Sequence, residues 1–298
     1  IDAMFGISAE KWVNKKVVTA REKFEDAGIY DLNLATGTQG NGGGKTHNGT
    51  YSYIARLNYN YAEKYMVELM GRRDGNSKFA PGYRFKSFGS VSLGWAFSEE
   101  QFVEFLKPVL SFGKLRLSYG SSGNDVGLGD YDYVSTVSLG TAGFGTIPAN
   151  QVSSGFGGLI SYDRTWEKVS QKNFGIDLNF FDNRLKATFD YFIKDNTGML
   201  VNVTYPGVLG GKAPKTNSGH LNVKGWEFTI GWRDQIKDFS YYANFNIGDT
   251  KSLLKEMEGA DSYGAGWNAA VNGYPLNSYF LYRTDGYFKD QAEVDRYY

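Results

Sequence analysis

The stretch Gly42-Gly43-Gly44-Lys45-Thr46 has the residue types of a phosphate-binding loop. Such a loop reads G-x-x-x-x-G-K-[ST], so that backbone N–H groups and the lysine surround phosphate. Its first glycine would fall at position 39, which is Gln39. The following residues read as a strand, not the helix whose N-terminus would hold the anion. GTQGNGGGKTHNG therefore reads as a flexible, Gly-rich loop. Asp125, Asp130 and Asp132 in GNDVGLGDYD could offer oxygens to Ca²⁺, but their spacing matches no EF-hand, and a solvated loop is the simpler reading. His47 and His220 are the only histidines, far apart, and there is no cysteine. Neither a metal site nor a His-based triad is supported, and disulfides are excluded. The adjacent carboxylates Glu99 and Glu100 suit the start of a helical turn, where they favour its dipole. No set of acid, base and nucleophile is readable, so the sequence points to neither catalysis nor a cofactor.

Composition narrows what remains. The 298 residues carry 32 basic and 32 acidic side chains, without the basic excess of a nucleic-acid binder. Tyr (22), Phe (21) and Gly (38) are abundant. No apolar run approaches the ~18 residues of a transmembrane helix. A β-barrel escapes that test because its two faces alternate and cancel in any average. With no initiator Met and no signal peptide, the chain reads as an internal piece of something longer.

The elements that would position any functional residue are mostly strands. Residues 1–49 read as a strand end and a loop, with a short helix over 20–27 started by the Thr19–Glu22 capping box. From residue 50 the period is two, predicting strands at 50–61, 65–73, 87–97, 112–120, 170–181, 185–195, 225–233 and 239–248. A further strand is expected near 279–288, and 131–139 is another candidate. Short turns at 62–64, 182–184 and 234–238 fall at one end of an up-and-down path, with a helical turn over 98–111. Long polar connections at 74–86, 121–169, 196–224 and 249–278 fall at the other. That segregation is the habit of outer-membrane barrels.

One register of each strand is uncharged: Tyr51 to Tyr61 on the first, Val91, Leu93 and Trp95 on the third, Leu185 to Ile193 on the sixth. The opposite register holds Arg56, Glu68, Arg72, Lys114, Arg116, Asp177 and Asp190. A soluble sandwich has the same alternation. Long strands, Trp and Tyr toward strand ends and the sorted loops favour a membrane barrel over 50–298.

The blocks SYIARLNYNYAEKYMVELMGRRDGNSKFAPGYRFKSFGSVSLGWAFSEEQF, FGKLRLSYGSSGND, WEKVSQKNFGIDLNFFDNRLKATFDYFIKDNTGMLV, NSGHLNVKGWEFTI and TDGYFK closely resemble the barrel of SusC/RagA-type TonB-dependent transporters of Bacteroidetes. The resemblance covers nearly the whole chain in the family's order. Phe88-Gly89-Ser90 departs from the family's Phe-Pro-Ser. The resemblance implies an all-β, antiparallel transmembrane barrel of which this chain is about half, the 22-stranded whole enclosing a plug that is absent here together with the C-terminal strands. It also implies long extracellular loops, short periplasmic turns and TonB-driven import of oligosaccharides or peptides across the outer membrane. A SusD-like surface lipoprotein and TonB, acting through the plug, would be the partners. The alternatives are a passive or adhesive outer-membrane barrel and a secreted glycan-binding sandwich. For cargo contact the candidates are the loop aromatics Trp166, Tyr131, Tyr133, Tyr263 and Trp267, since sugars stack on aromatic faces. Arg56, Glu68, Arg72 and Arg116 would face the lumen.

Overall fold

The computed structural model describes residues 1–24, 28, 31–144, 149–203, 208, 210, 213–258 and 270–297. Nine strands form one antiparallel sheet: β1 (Asp2–Arg21), β2 (Gln39–Tyr61), β3 (Tyr65–Asn76), β4 (Phe85–Trp95), β5 (Leu110–Asn124), β8 (Glu167–Phe180), β9 (Leu185–Asn202), β10 (Lys215–Ile236) and β11 (Phe239–Met257). They pair in that order, with β6 (Val137–Phe144) and β7 (Ala149–Phe156) in a separate two-stranded sheet. The outer members β1 and β11 are not paired with each other, so the chain does not close a barrel by itself.

All eight strands expected from residue 50 onward are present, and most extend further toward the long-loop end. The connections at 62–64 and 181–184 are tight turns, and that between β10 and β11 shrinks to Lys237-Asp238. Ala62 and Glu63 both take positive φ (51° and 57°), as a twist-matched hairpin turn requires. The 96–109 connection contains two 3-10 turns, Phe97–Glu99 and Gln101–Leu106, without a side-chain cap on either.

Several expectations are corrected. The Gly-rich residues 39–49 are strand, paired rung by rung with β1 from Arg21↔Gln39 to Lys11↔Gly49. Backbone bonding carries this ribbon, and Val17 and Val18 opposite Gly43 and Gly42 supply the β-branched residues that the glycine strand lacks. Ala20 and Arg21, expected to begin a helix, end β1, while 25–27 lie outside the described residues. Of the 131–139 candidate only Val137–Leu139 is strand, at the start of the separate β6–β7 hairpin, so β5 pairs directly with β8. Residues 279–288 take no strand pairing, although the outer edge of β11 has no strand partner among the described residues.

The register yields the tilt of the sheet. One hydrogen-bonded row runs Tyr65, Trp95, Leu115, Ile176, Phe189, Phe228, Ile247. At β3 it touches the turn. At β10 and β11 the strands continue about eight residues further, to the pair Ile236↔Phe239. That stagger accrues over about six strand steps: about 26 Å along the strands against about 29 Å across, a tilt of about 40°.

The other margin of the apolar face drifts in parallel. In the row Ala3, Leu57, Leu69, Val91, Tyr119, Lys172, Ile193, Lys224, Lys251, β1 stays uncharged up to Lys11, about eight residues above. On β11 the first charge, Asp249, lies about two residues below. Ten residues over eight steps is again a tilt of about 40°. The apolar band keeps a near-constant height, roughly 20–25 Å along Leu185–Ile193, close to the ~25 Å band of membrane barrels.

That band is bare. Leu57, Leu69, Leu93 and Leu117 are 42%, 46%, 47% and 52% exposed, and no second sheet covers them. A sandwich would bury this face. The packed core lies instead at the long-loop end, where Phe79, Phe88, Leu128 and Trp166 form a buried cluster.

Candidate functional site

The face opposite the apolar band is a polar wall. Its central row is Gly94, Arg116, Gly175, Asp190, Glu227, Gly248. Arg116 donates from Nε and Nη2 to both oxygens of Asp177 (2.7 and 3.0 Å) and from Nη2 to Asp190 (3.0 Å). Asn173 donates to the other Asp190 oxygen at 3.0 Å. The bidentate fork fixes the guanidinium, which reaches Asp190 only by crossing Gly175. A Cβ there would lie 2.6 Å from Arg116 Cζ and 2.7 Å from Asp190 Oδ1. Arg72 is likewise committed, to Asp74 at 2.6 and 2.9 Å. Arg56 and Glu68 share this face, and among the described residues neither forms an ion pair. Arg116 and Arg72 are thus braces of the wall, whereas Arg56 and Glu68 are half-buried on the same face.

Above the wall, the two ends of the 125–166 connection, 125–133 and 164–166, are fastened by side-chain bonds. Asp125 accepts from Lys78 (3.1 Å) and Asn76 (2.7 Å), and Asp130 from Asn48 (2.9 Å). Asp132 accepts from the Gly129 amide (2.8 Å) and pairs with Arg164 (3.7 Å). The three aspartates weighed as cation ligands are therefore loop braces. Glu167, 6% exposed, accepts from the Leu200 amide and Asn124 at 2.8 Å each. Asn217 bonds Thr165 in both directions and donates to the Gly198 carbonyl.

The loop aromatics divide. Trp166 is 7% exposed, packs on Phe79 (5.1 Å between centroids) and Phe88 (6.2 Å), and donates to the Arg84 carbonyl at 2.8 Å. Its ring is enclosed by the loop core and offers no face to cargo. Tyr131 remains 41% exposed, with its hydroxyl 2.6 Å from His47 Nδ1. Tyr133 is half-buried and accepts from Arg84 at 3.4 Å. Tyr263 and Trp267 lie outside the described residues. His47, which sequence reasoning passed over for lack of a nearby partner, is brought to Tyr131 by the unforeseen extension of β2.

At the turn end, Glu100 ties the 96–109 connection to the sheet. Its carboxylate accepts from Tyr65 (2.6 Å) and Trp95 (3.3 Å) and pairs with Lys64 (3.6 Å). The Tyr65 bond, then the Trp95 bond, hold its pKa below the ordinary carboxylate value against the opposing effect of burial, with Lys64 adding to the depression.

Among the described residues the wall and crown consist of charged groups, hydrogen-bonded braces and exposed aromatic rings. Comparison with known proteins agrees in architecture. The family model described as TonB dependent receptor-like, beta-barrel matches residues 7–297. The TonB-dependent receptor P39 of Formosa agariphila is 29% identical over 274 residues, 90% of this chain and 25% of the relative. The TonB-dependent receptor SusC of Bacteroides thetaiotaomicron is 28% identical over 256 residues, 80% of this chain and 25% of the relative. Among solved structures, the RagAB peptide transporter superposes with a TM-score of 0.79 at 24% identity, covering 93% of this chain and 30% of that one. The chain spans about a quarter of the length of the curated relatives it matches.

Proposed function

This chain belongs to the TonB-dependent receptor β-barrel family, and from that premise we propose that it is part of the wall of an energised importer in the outer membrane. The single observation that carries the proposal is the bare, tilted apolar band backed by a charged, internally braced opposite face. Lipid on one side and a polar passage on the other account for both. The division proposed is an exposed crown over 11–49 and a barrel wall over 50–298, which the lower part of the first strand, paired with 50–58, joins. The plug and remaining strands would come from the rest of the protein. Arg56 and Glu68 would face that plug or the passing cargo.

The cargo we propose is an oligosaccharide, with a peptide as the second reading because a structural relative, RagAB, is a peptide transporter. Tyr131 at the crown is the contact favoured by its exposure, and Tyr263 and Trp267 stay candidates by position. TonB would supply the work through the plug, and a SusD-like lipoprotein would cover the mouth. No bond chemistry is assigned to the chain.

The test is uptake by cells carrying the full-length protein, with labelled oligosaccharides and peptides offered separately. Uptake of one class that stops when TonB is deleted is the expected result. Uptake that persists without TonB would identify a passive barrel, and adhesion without uptake an adhesin.

A further inference from the structure

We propose that the outward face above the apolar band, between β5 and β11, binds a phosphorylated, acyl-chain-bearing lipid of the outer leaflet. The proposal rests on the lipid-facing register of the band and is independent of the cargo.

Lys172, Lys224 and Lys251 lie in one hydrogen-bonded row on this face, together with Tyr119 and Ile193. Lys224 stands directly opposite Lys251. Like charges directly opposite one another destabilise a strand pair, so the sheet retains an arrangement that calls for a counter-charge. Among the described residues no carboxylate forms an ion pair with any of the three. Asp195, in the next row up, is engaged by His220 (3.0 Å), Asn222 (2.9 Å) and Lys255 (3.4 Å). Asp249, one row below and opposite Trp226, is among the described residues the single acid of the patch left to offset three lysines.

Directly below the lysines the surface turns apolar. A groove of about 320 Å³ runs between Val91, Leu93, Leu117, Phe174 and Tyr191, with Lys172 at its lip. Tyr191 also walls a second groove of about 780 Å³, bordered by Trp226, Lys224 and Lys251. Anionic headgroups met by a basic cluster at the membrane boundary are a general mode of lipid recognition. The grooves select a lipid over free phosphate, because an ion would leave them empty while acyl chains fill them. The lysines would neutralise the phosphates, each carrying more than one negative charge at neutral pH.

The experiment uses the full-length protein in detergent, with a diphosphorylated, multiply acylated lipid as probe and its dephosphorylated form as control. Binding is read by native mass spectrometry. The expected result is retention of the phosphorylated lipid and a loss of roughly 100-fold in Lys172→Gln/Lys224→Gln/Lys251→Gln, the order expected for three lysines at a charged surface. Lys114→Gln/Lys186→Gln, on the opposite face, should bind as the parent does. Heat-modifiability on gels verifies folding, and should the triple variant fail it, Lys172→Gln alone is expected to bind several-fold more weakly. Undiminished binding in the folded variants would overturn the proposal. So would equal binding of the dephosphorylated lipid, or displacement of the probe by millimolar inorganic phosphate.

Discussion

The tilt worked out from the register makes a demanding prediction about two residues in one hydrogen-bonded row. Leu57 and Ile193 are both apolar, both on the outward face and joined through Leu69, Val91, Tyr119 and Lys172. Five strand steps separate them, about 24 Å along the row, and a tilt of about 40° turns this into a height difference of about 15 Å. Leu57 is near the middle of Tyr51–Tyr61, hence near the bilayer midplane. Ile193 is the last apolar residue of β9 before Asp195 and hence near the boundary. Leu57→Arg should therefore cost about 2–4 kcal/mol and Ile193→Arg about 0–1 kcal/mol, each measured against the corresponding alanine variant. The assay is urea-dependent loss of the folded, heat-modifiable form of the full-length barrel in lipid vesicles. Equal costs, or a larger one at Ile193, would refute the tilt and the lipid-facing band together, since a sheet lying flat on a soluble core places both residues at one depth.

Two further outcomes follow from the braces. Gly175→Ala should destabilise the barrel by about 1–3 kcal/mol, because the added methyl meets the Arg116 guanidinium in an already filled space. Gly71→Ala, with nothing within 4 Å of its Cβ, should stay within about 0.5 kcal/mol, and the same urea assay compares them. Glu100, with its pKa depressed first by Tyr65, contributes stability that is present above the unfolded carboxylate value. That contribution is lost as pH falls through the lower folded value. Tyr65→Phe should raise the Glu100 pKa toward its ordinary value, read by carbon-13 titration of the carboxylate, and an unchanged value would remove Tyr65 as the cause.

Alternation made the membrane-crossing parts of the strands legible, because Leu57 or Phe189 must be apolar where lipid touches it while Arg116 or Asp190 must not. Above the band both faces are wet and the pattern lapses, so the strand continuations at 39–49 and 196–202 left no periodic trace. Backbone pairing extends them, helped at 196–202 by Glu167 and Asn217 bonding to the strand and by Leu200 packing on the loop core. Trp166 shows the same limit from the other side. Its position in a polar loop suggested exposure, and only the convergence of Phe79, Phe88 and Leu128 from three separate segments buries it. The aspartates of 125–132 resembled a cation cluster for want of their partners Lys78, Asn48 and Arg164, which are distant in sequence. The 279–288 alternation shows that a face pattern does not by itself make a strand, even beside an edge without a strand partner.

The β1–β2 ribbon runs about twelve rungs past Tyr51, to Arg21 and Gln39, which is about 40 Å of strand beyond the outer aromatics. Even after allowance for tilt, it stands off the membrane by a distance comparable to the bilayer's own thickness. On the outer-membrane reading proposed above, this mast would reach beyond the mouth toward whatever approaches from outside. Lys45 stands opposite Lys15 on one face of it and Lys16 follows on the other, so both faces of a narrow, glycine-backed blade carry positive charge.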